Sequence, residues 1–285
     1  MKILVLGVTG MLGSAVFKYL SNHTSHSVFG TMRGQSGAAY FEEKHRGSFY
    51  SNVDVLDYES LVSVFEDNRP DVVINCVGLI KQLAHANDPL STLPLNSMLP
   101  HRLSKLCKLA NARLIHISTD CVFTGSKGMY LESDISDAVD LYGKSKFIGE
   151  LNDQPHAITL RTSIIGHELA STASLVDWFL SQEGSVKGFT KAIFSGVPTA
   201  ELARIIVEYV LPNEQLFGLY HVSVNPIDKF TLLNEIAKVY QKEIDIIPDD
   251  KLAIDRSLDS TRFRDAVGYL PPSWPDLIQF MRAQR

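Results

Sequence analysis

Tyr142 and Lys146 stand four residues apart, so on a helix both side chains leave one face. A phenol with an ordinary pKa of about 10 is a poor acid or base at neutral pH. An ammonium held within a few ångströms stabilises the phenolate and draws that pKa toward the working range. The pair is a candidate proton donor with its tuning cation. Tyr40 and Lys44 repeat the spacing, so context must choose between the copies. The Tyr40 copy falls in a polar insertion after the second predicted strand. Tyr142 follows a predicted strand that ends in Ser118-Thr119-Asp120, where the Thr119 hydroxyl can meet the same substrate oxygen.

A second constellation is Gly7-Val8-Thr9-Gly10-Met11-Leu12-Gly13, between an apolar run and a helical pattern. A dinucleotide pyrophosphate needs a tight turn, a backbone bare enough to approach the phosphates, and close helix–strand contact, all at a helix N-terminus that offers free N–H groups. The glycine spacing meets these needs, and Gly7, Thr9, Gly10, Met11, Leu12 and Gly13 are expected to line a cofactor. A carboxylate that reads a ribose 2′-hydroxyl belongs about 20 residues further on. Arg33 stands there instead, with no Asp or Glu between Gly13 and Glu42. A guanidinium pairs with a 2′-phosphate, so NADPH is the preferred cofactor and NADH a possible one. Asp54, at the end of a predicted third strand, is placed to accept from the adenine amino group.

These residues require a scaffold, and the patterning supplies one. Lys2–Leu6 reads as a strand buried on both faces, Met11–Leu20 as a helix and His26–Met32 as the next strand. The alternation continues through a helix capped by Asp57, a strand over 71–77, a helix over 98–110, a strand over 113–118, a helix over 142–151 and a strand over 157–161. Beyond it the rhythm loosens into helices over 175–180, 199–210 and 230–240, short β-like pieces at 188–194, 219–224 and 243–247, and a terminal helix over 276–281. The fold class expected is α/β, a Rossmann-like doubly wound parallel sheet. Residues 1–165 form the cofactor domain with the catalytic residues, and 166–285 a smaller substrate-binding lobe partly interleaved with the sheet.

Composition narrows the classes. The 285 residues are 45% hydrophobic and 21% charged with a net charge of −5, a globular profile without the basic footprint of a nucleic-acid binder. Cys76, Cys107 and Cys121 show no zinc or redox spacing, which suits a reducing compartment. The first apolar run is too short for a signal peptide and no later one spans a bilayer, so a cytoplasmic protein without membrane contact is expected. The nine histidines show no helical zinc spacing, and no metal site is expected. Ser163, Ser195 and Ser223 lack a nucleophile elbow, which removes hydrolase chemistry.

The motifs together resemble the extended short-chain dehydrogenase/reductase superfamily, and more closely the dTDP-4-dehydrorhamnose reductases and related nucleotide-sugar reductases. The carriers are GVTGMLG, Asn75-Cys76-Val77-Gly78, STDCVFTG over 118–125, Tyr142-Gly143-Lys144-Ser145-Lys146, Leu160-Arg161-Thr162 and Val197-Pro198-Thr199. The resemblance implies that Thr119 binds the reacting carbonyl oxygen and Tyr142 donates the proton. Lys146 would hold the nicotinamide ribose and tune Tyr142, and Val77 and Gly78 would line the cofactor. Asn96 is expected to support the proton relay. The chain departs from the family after the fourth strand, where Leu79-Ile80-Lys81-Gln82-Leu83-Ala84-His85 stands. Lys81 there, Asp120 beside Thr119, and Arg256 in a polar loop are expected toward the substrate, Arg256 as a diphosphate clamp. The implied activity is NAD(P)H-dependent reduction of a nucleotide-linked 4-keto-6-deoxy sugar for surface-polysaccharide or deoxysugar biosynthesis, with a homodimer possible. An epimerase that keeps NAD bound, or a regulatory protein on the same scaffold, stands as the alternative.

Overall fold

The computed structural model describes residues 1–81 and 86–285. Along the chain run β1 (Lys2–Leu6), α1 (Met11–His23), β2 (Ser27–Thr31), β3 (Phe49–Tyr50), α2 (Tyr58–Asn68), β4 (Val72–Asn75), α3 (Pro89–Leu93) and α4 (Leu99–Ala110). Next come β5 (Arg113–Thr119), α5 (Leu141–Ile148), β6 (Ala157–Thr162), β7 (Ile164–Ile165), α6 (Leu175–Ser181), β8 (Ser185–Phe194), β9 (Val197–Pro198) and α7 (Thr199–Ile205). The chain closes with β10 (Gly218–His221), β11 (Ile227–Asp228), α8 (Lys229–Tyr240), β12 (Asp245–Asp255), α9 (Thr261–Val267) and α10 (Trp274–Ala283).

The main sheet has seven strands in the order β10-β6-β5-β4-β1-β2-β3, and the pairs from β3 across to β5 run parallel. Read from the β3 edge, this is the doubly wound order 3-2-1-4-5-6, whose winding reverses between β1 and β4. The apolar runs read from the sequence are the buried strands: four of five β1 residues are buried, and all of β4 and β6. Leu4, Leu6, Val73 and Leu114 of the sheet pack on Leu61 and Phe65 of α2 and on Leu99, Leu103 and Leu106 of α4. Asp57 caps α2 by accepting from the Glu59 N–H at 3.0 Å, as its position before the apolar pattern foretells.

Two compact units emerge: Met1–Ser118 with Asp140–Leu160 and Asn213–Leu219, and Thr119–Val139 with Arg161–Pro212 and Tyr220–Arg285. The division is therefore not one cut near 165. The segment 119–139 goes with the second unit, and β5, β6 and β10 each end one or two residues inside it. That unit holds its own three-stranded sheet, β11-β8-β12, and a small core of Val122, Phe123, Tyr130 and Leu258. No helix among the described residues is long and apolar enough to cross a membrane.

Candidate active site

In the first unit the glycine turn joins β1 to α1. Gly7 has φ +80°, and a Cβ on it would meet Val77 Cγ2 at 2.8 Å, which places the residue after β4 against the turn. A Cβ on Gly13 would stand 2.2 Å from the Gly7 carbonyl oxygen, so only glycine lets the first turn of α1 lie this close to the strand end. Gly10 is the N-cap, without a capping side chain and without an acidic residue in the first turn. The first N–H groups of α1, from Met11 through Gly13, therefore face outward with no side-chain acceptor, the donor set a pyrophosphate requires. Thr9 lies against Gly37, whose Cβ position is 2.5 Å from Thr9 Cγ2. This contact brings the loop after β2 to the turn.

Arg33 follows β2 by two residues, is exposed and has no side-chain partner among the described residues. Asp54 differs from the expectation of a strand end. The third strand is only Phe49–Tyr50, and Asp54 lies in the following loop with its Oδ1 accepting from the Leu56 N–H at 2.9 Å. A two-residue edge strand has no periodicity to mark its end.

Tyr142 and Lys146 both lie on α5, whose N-cap Asp140 accepts from the Gly143 N–H at 2.8 Å. Tyr40 and Lys44 do not share a helix: the chain is extended at Phe41 and Glu42 between two 3-10 turns, and Lys44 pairs with Glu42 at 3.0 Å. Lys146 is 6% exposed and its Nζ donates to the Ile117 carbonyl at 2.7 Å. Burial lowers its pKa to about 8, against the raising charges of Glu150 and Cys76. Gly78 lies beside it, with its Cβ position 3.9 Å from Lys146 Nζ and 3.4 Å from Asn96 Oδ1.

Asn96 has a part different from the expected relay. The turn Pro94–Met98 is a π-helical turn, closed by the Leu99 N–H on the Pro94 carbonyl, a form that recurs at functional sites. It aims Asn96 at the segment after β4. Asn96 Oδ1 accepts from the Leu79 N–H at 2.9 Å, and Nδ2 donates to the Leu79 carbonyl at 3.0 Å and to Ser145 Oγ at 3.2 Å. With both amide hydrogens used, Asn96 clamps Leu79 to α5. Lys81 is ion-paired with Asp140 at 2.6 Å, so the lysine expected toward the substrate holds the N-cap of α5. The rest of that departing stretch, 82–85, lies outside the described residues.

In the second unit Thr119 is 8% exposed. Its Oγ1 accepts from the Cys121 N–H at 3.1 Å and donates to Asp120 Oδ1 at 3.2 Å. Burial raises the Asp120 pKa, while the Arg256 charge and hydrogen bonds from Cys121, Thr119 and Ser163 oppose that shift. Arg256 donates from Nε to the Phe123 carbonyl at 2.8 Å and from Nη1 to Cys121 Sγ at 3.8 Å. Sequence reasoning passed over Lys229, whose pKa is lowered by burial and then by the Arg256 charge. The link is a matter of register: Asp228 and Asp255, the residues before the two cations, both pair with Ile193 of β8. Trp178 is 39% exposed, whereas His221 is buried and bonded to Arg161 at 2.9 Å. No cluster of His, Cys, Asp and Glu suited to a metal occurs among the described residues.

A switch-point sheet order, a glycine turn on its first crossover and a Tyr-xxx-Lys helix define a protein of the extended short-chain dehydrogenase/reductase superfamily. Within it, the chain belongs to the RmlD substrate binding domain family, whose model matches residues 1–262. It is 28% identical over 252 residues to the methionine adenosyltransferase 2 subunit beta of Danio rerio, covering 84% of this chain and 74% of that protein. The bovine form of that subunit is matched over 48% of its length. The chain is 31% identical over 229 residues to a probable low-salt glycan biosynthesis reductase of Haloferax volcanii, covering 77% and 73%. Among solved structures, the dTDP-4-dehydrorhamnose reductase of Bacillus anthracis in complex with NADP superposes with a TM-score of 0.79 at 21% identity, covering 99% of each chain.

Proposed function

We propose that this protein is an NADPH-dependent reductase of a nucleotide-linked 4-keto-6-deoxy sugar, acting in surface-polysaccharide or deoxysugar biosynthesis. The observation that carries the reading is Lys146, buried on the Ile117 carbonyl one helical turn from Tyr142. NADPH, when bound, supplies the hydride. The bare first turn of α1 takes its pyrophosphate, Arg33 its 2′-phosphate and Lys146 its nicotinamide ribose. Lys146 also lowers the phenol pKa, and Tyr142 delivers its proton from Oη to the ketone oxygen as that oxygen gains charge. Thr119 donates its hydroxyl hydrogen to the same oxygen, exchanging Asp120 for the substrate as its acceptor. Arg256, joined by Lys229, holds the diphosphate.

Purified protein incubated with a TDP-linked 4-keto-6-deoxyhexose and NADPH or NADH tests this reading through the absorbance of the reduced cofactor. Stoichiometric oxidation is expected, faster with NADPH. Sugar interconversion with retained NAD and no net oxidation would establish an epimerase instead. A second reading, a cofactor-binding subunit without turnover, is favoured by the likeness to a methionine adenosyltransferase beta subunit. It predicts NADPH binding with no oxidation of cofactor. The complete Thr119, Tyr142 and Lys146 set speaks for the enzyme.

A further inference from the structure

Lys146 is a buried ammonium whose Nζ donates to a neutral carbonyl, and such a charge is costly unless an opposite charge faces it. The titratable groups around it come from several elements. Cys76, after β4, is pushed up to about 12 by burial and is a neutral thiol. His116 of β5 is held well below its usual range by burial and by Lys146 itself. It is therefore neutral at pH 7, with Nδ1 3.1 Å from the Asn75 amide nitrogen. His101 of α4, whose charge also acts on His116, has Nε2 2.7 Å from the Ile148 carbonyl oxygen. Tyr142 lies one turn back on α5. Glu150 is the carboxylate of the set.

Glu150 follows Lys146 by four residues and is also 6% exposed. Ser118 Oγ donates to its Oε1 at 2.7 Å, so Lys146 and Glu150 hold successive residues of β5, Ile117 by its carbonyl and Ser118 by its hydroxyl. Past the end of α5 the chain tightens into a 3-10-type turn, with the Glu150 N–H on the Phe147 carbonyl at 3.2 Å. A Cβ on Gly149 would stand 2.0 Å from the Asn96 carbonyl oxygen.

We propose that Glu150 is a positioning residue of the reaction, the buried counter-charge that lets Lys146 present a full positive charge to Tyr142 and to the cofactor ribose. The inference rests on the reading of Tyr142 and Lys146 as the proton-transfer pair. Ser118 fixes the carboxylate, and burial, which draws Lys146 down to about 8, is opposed first by Glu150. Without that carboxylate Lys146 loses its proton at a lower pH.

The test compares Glu150→Gln, which removes the charge and keeps the shape, with Ser118→Ala, which removes the anchor and keeps the charge. The readout is the pH dependence of NADPH binding, followed by cofactor fluorescence, and of kcat/KM wherever a keto sugar turns over. Wild type is expected to lose affinity with an alkaline midpoint near 8. In Glu150→Gln that midpoint falls by about one pH unit, a tenfold change in proton affinity. Ser118→Ala, which keeps the charge but loosens its placement, moves the midpoint by clearly less than Glu150→Gln even if its Tm drops, and Glu150→Asp restores it. An unmoved midpoint in Glu150→Gln, or an equal shift in Ser118→Ala, overturns the proposal and leaves Glu150 a strand anchor. If no keto sugar is reduced, the substrate reading fails while the binding titration still decides Glu150. If the wild type binds no NADPH, both fail.

Discussion

The surroundings of Lys146 and those of Asp120 are both buried and polar, and they are satisfied in opposite ways. Around Lys146 the side chains spend their hydrogen bonds on one another. Asn96 uses both amide hydrogens on Leu79 and Ser145, Ser97 donates to the Ser145 carbonyl, and Ser118 donates to Glu150. Around Asp120 charge is left over: Arg256 and Lys229 act on one carboxylate, and Lys229 has no side-chain partner among the described residues. Apart from His116 Nε2, which is buried without a hydrogen-bond partner, these bonds hold their members to one geometry, as proton transfer demands. A cationic excess is suited to an anion that comes and goes.

Tyr142→Phe cuts deepest into that contrast. Turnover is expected to fall by about 10²- to 10⁴-fold, while NADPH affinity by fluorescence titration stays within about twofold, because the lost hydroxyl belongs to the chemical step. The second region should respond differently. Lys229→Ala or Arg256→Ala is expected to raise KM for the nucleotide sugar by about tenfold or more, from loss of a charged hydrogen bond of about 1.5–3 kcal/mol, with kcat nearly kept. A fall in kcat with KM unchanged would break the comparison. Arg33→Ala should lower the preference for NADPH over NADH by about tenfold and leave NADH kinetics unaltered; an equal loss for both cofactors would remove Arg33 from the 2′-phosphate.

The last effect is read in stability and not in turnover. The pKa of Lys146 falls from 10.5 to about 8 in the folded chain, so between those values the unfolded chain binds more protons. The contribution of this group to stability therefore rises with pH across that window. Relative to Lys146→Met, the wild type should gain Tm between pH 8 and 10.5 and stay level below it. An unchanged difference would show that the ammonium bears no burial cost.

Much of this was legible in the sequence, for reasons that differ by place. The turn from β1 to α1 is local, with seven consecutive residues that carry both the conformation and the donors, and the pair on α5 is one helical turn. Asp54 was misplaced because β3 is two residues at a sheet edge, too short for any periodicity. Glu150 sits at the next step of the Tyr142 and Lys146 spacing, inside the helix read over 142–151, but a glutamate at that spacing reads equally as a solvated helix residue, and only the fold buries it on Ser118. Lys229 and Arg256 are joined only through the register of β11 and β12 on β8. The sequence carries no sign of that adjacency, because 188–194 and 243–247 are read as separate short pieces and the two-residue β11 is not read at all. Interleaving was expected, but the crossing points, such as 119–139 going with the second unit, are hidden because a strand that passes from one unit into the other has no change of composition there.

The π-helical turn at Pro94–Met98 has a consequence for chain length. It holds one residue more than an α-helical turn, and each residue of an α-helix advances the side chain by about 100°. Deleting one residue there would let α3 run straight into α4 and swing Asn96 off Leu79, so that a buried N–H and a buried carbonyl lost their partner together. The Haloferax reductase and the beta subunits can be compared at this place by counting. A relative one residue shorter between β4 and α4 needs another amide to hold the strand exit beside Gly78, and the side chain that replaces it would mark where the two lineages solved the same backbone problem differently.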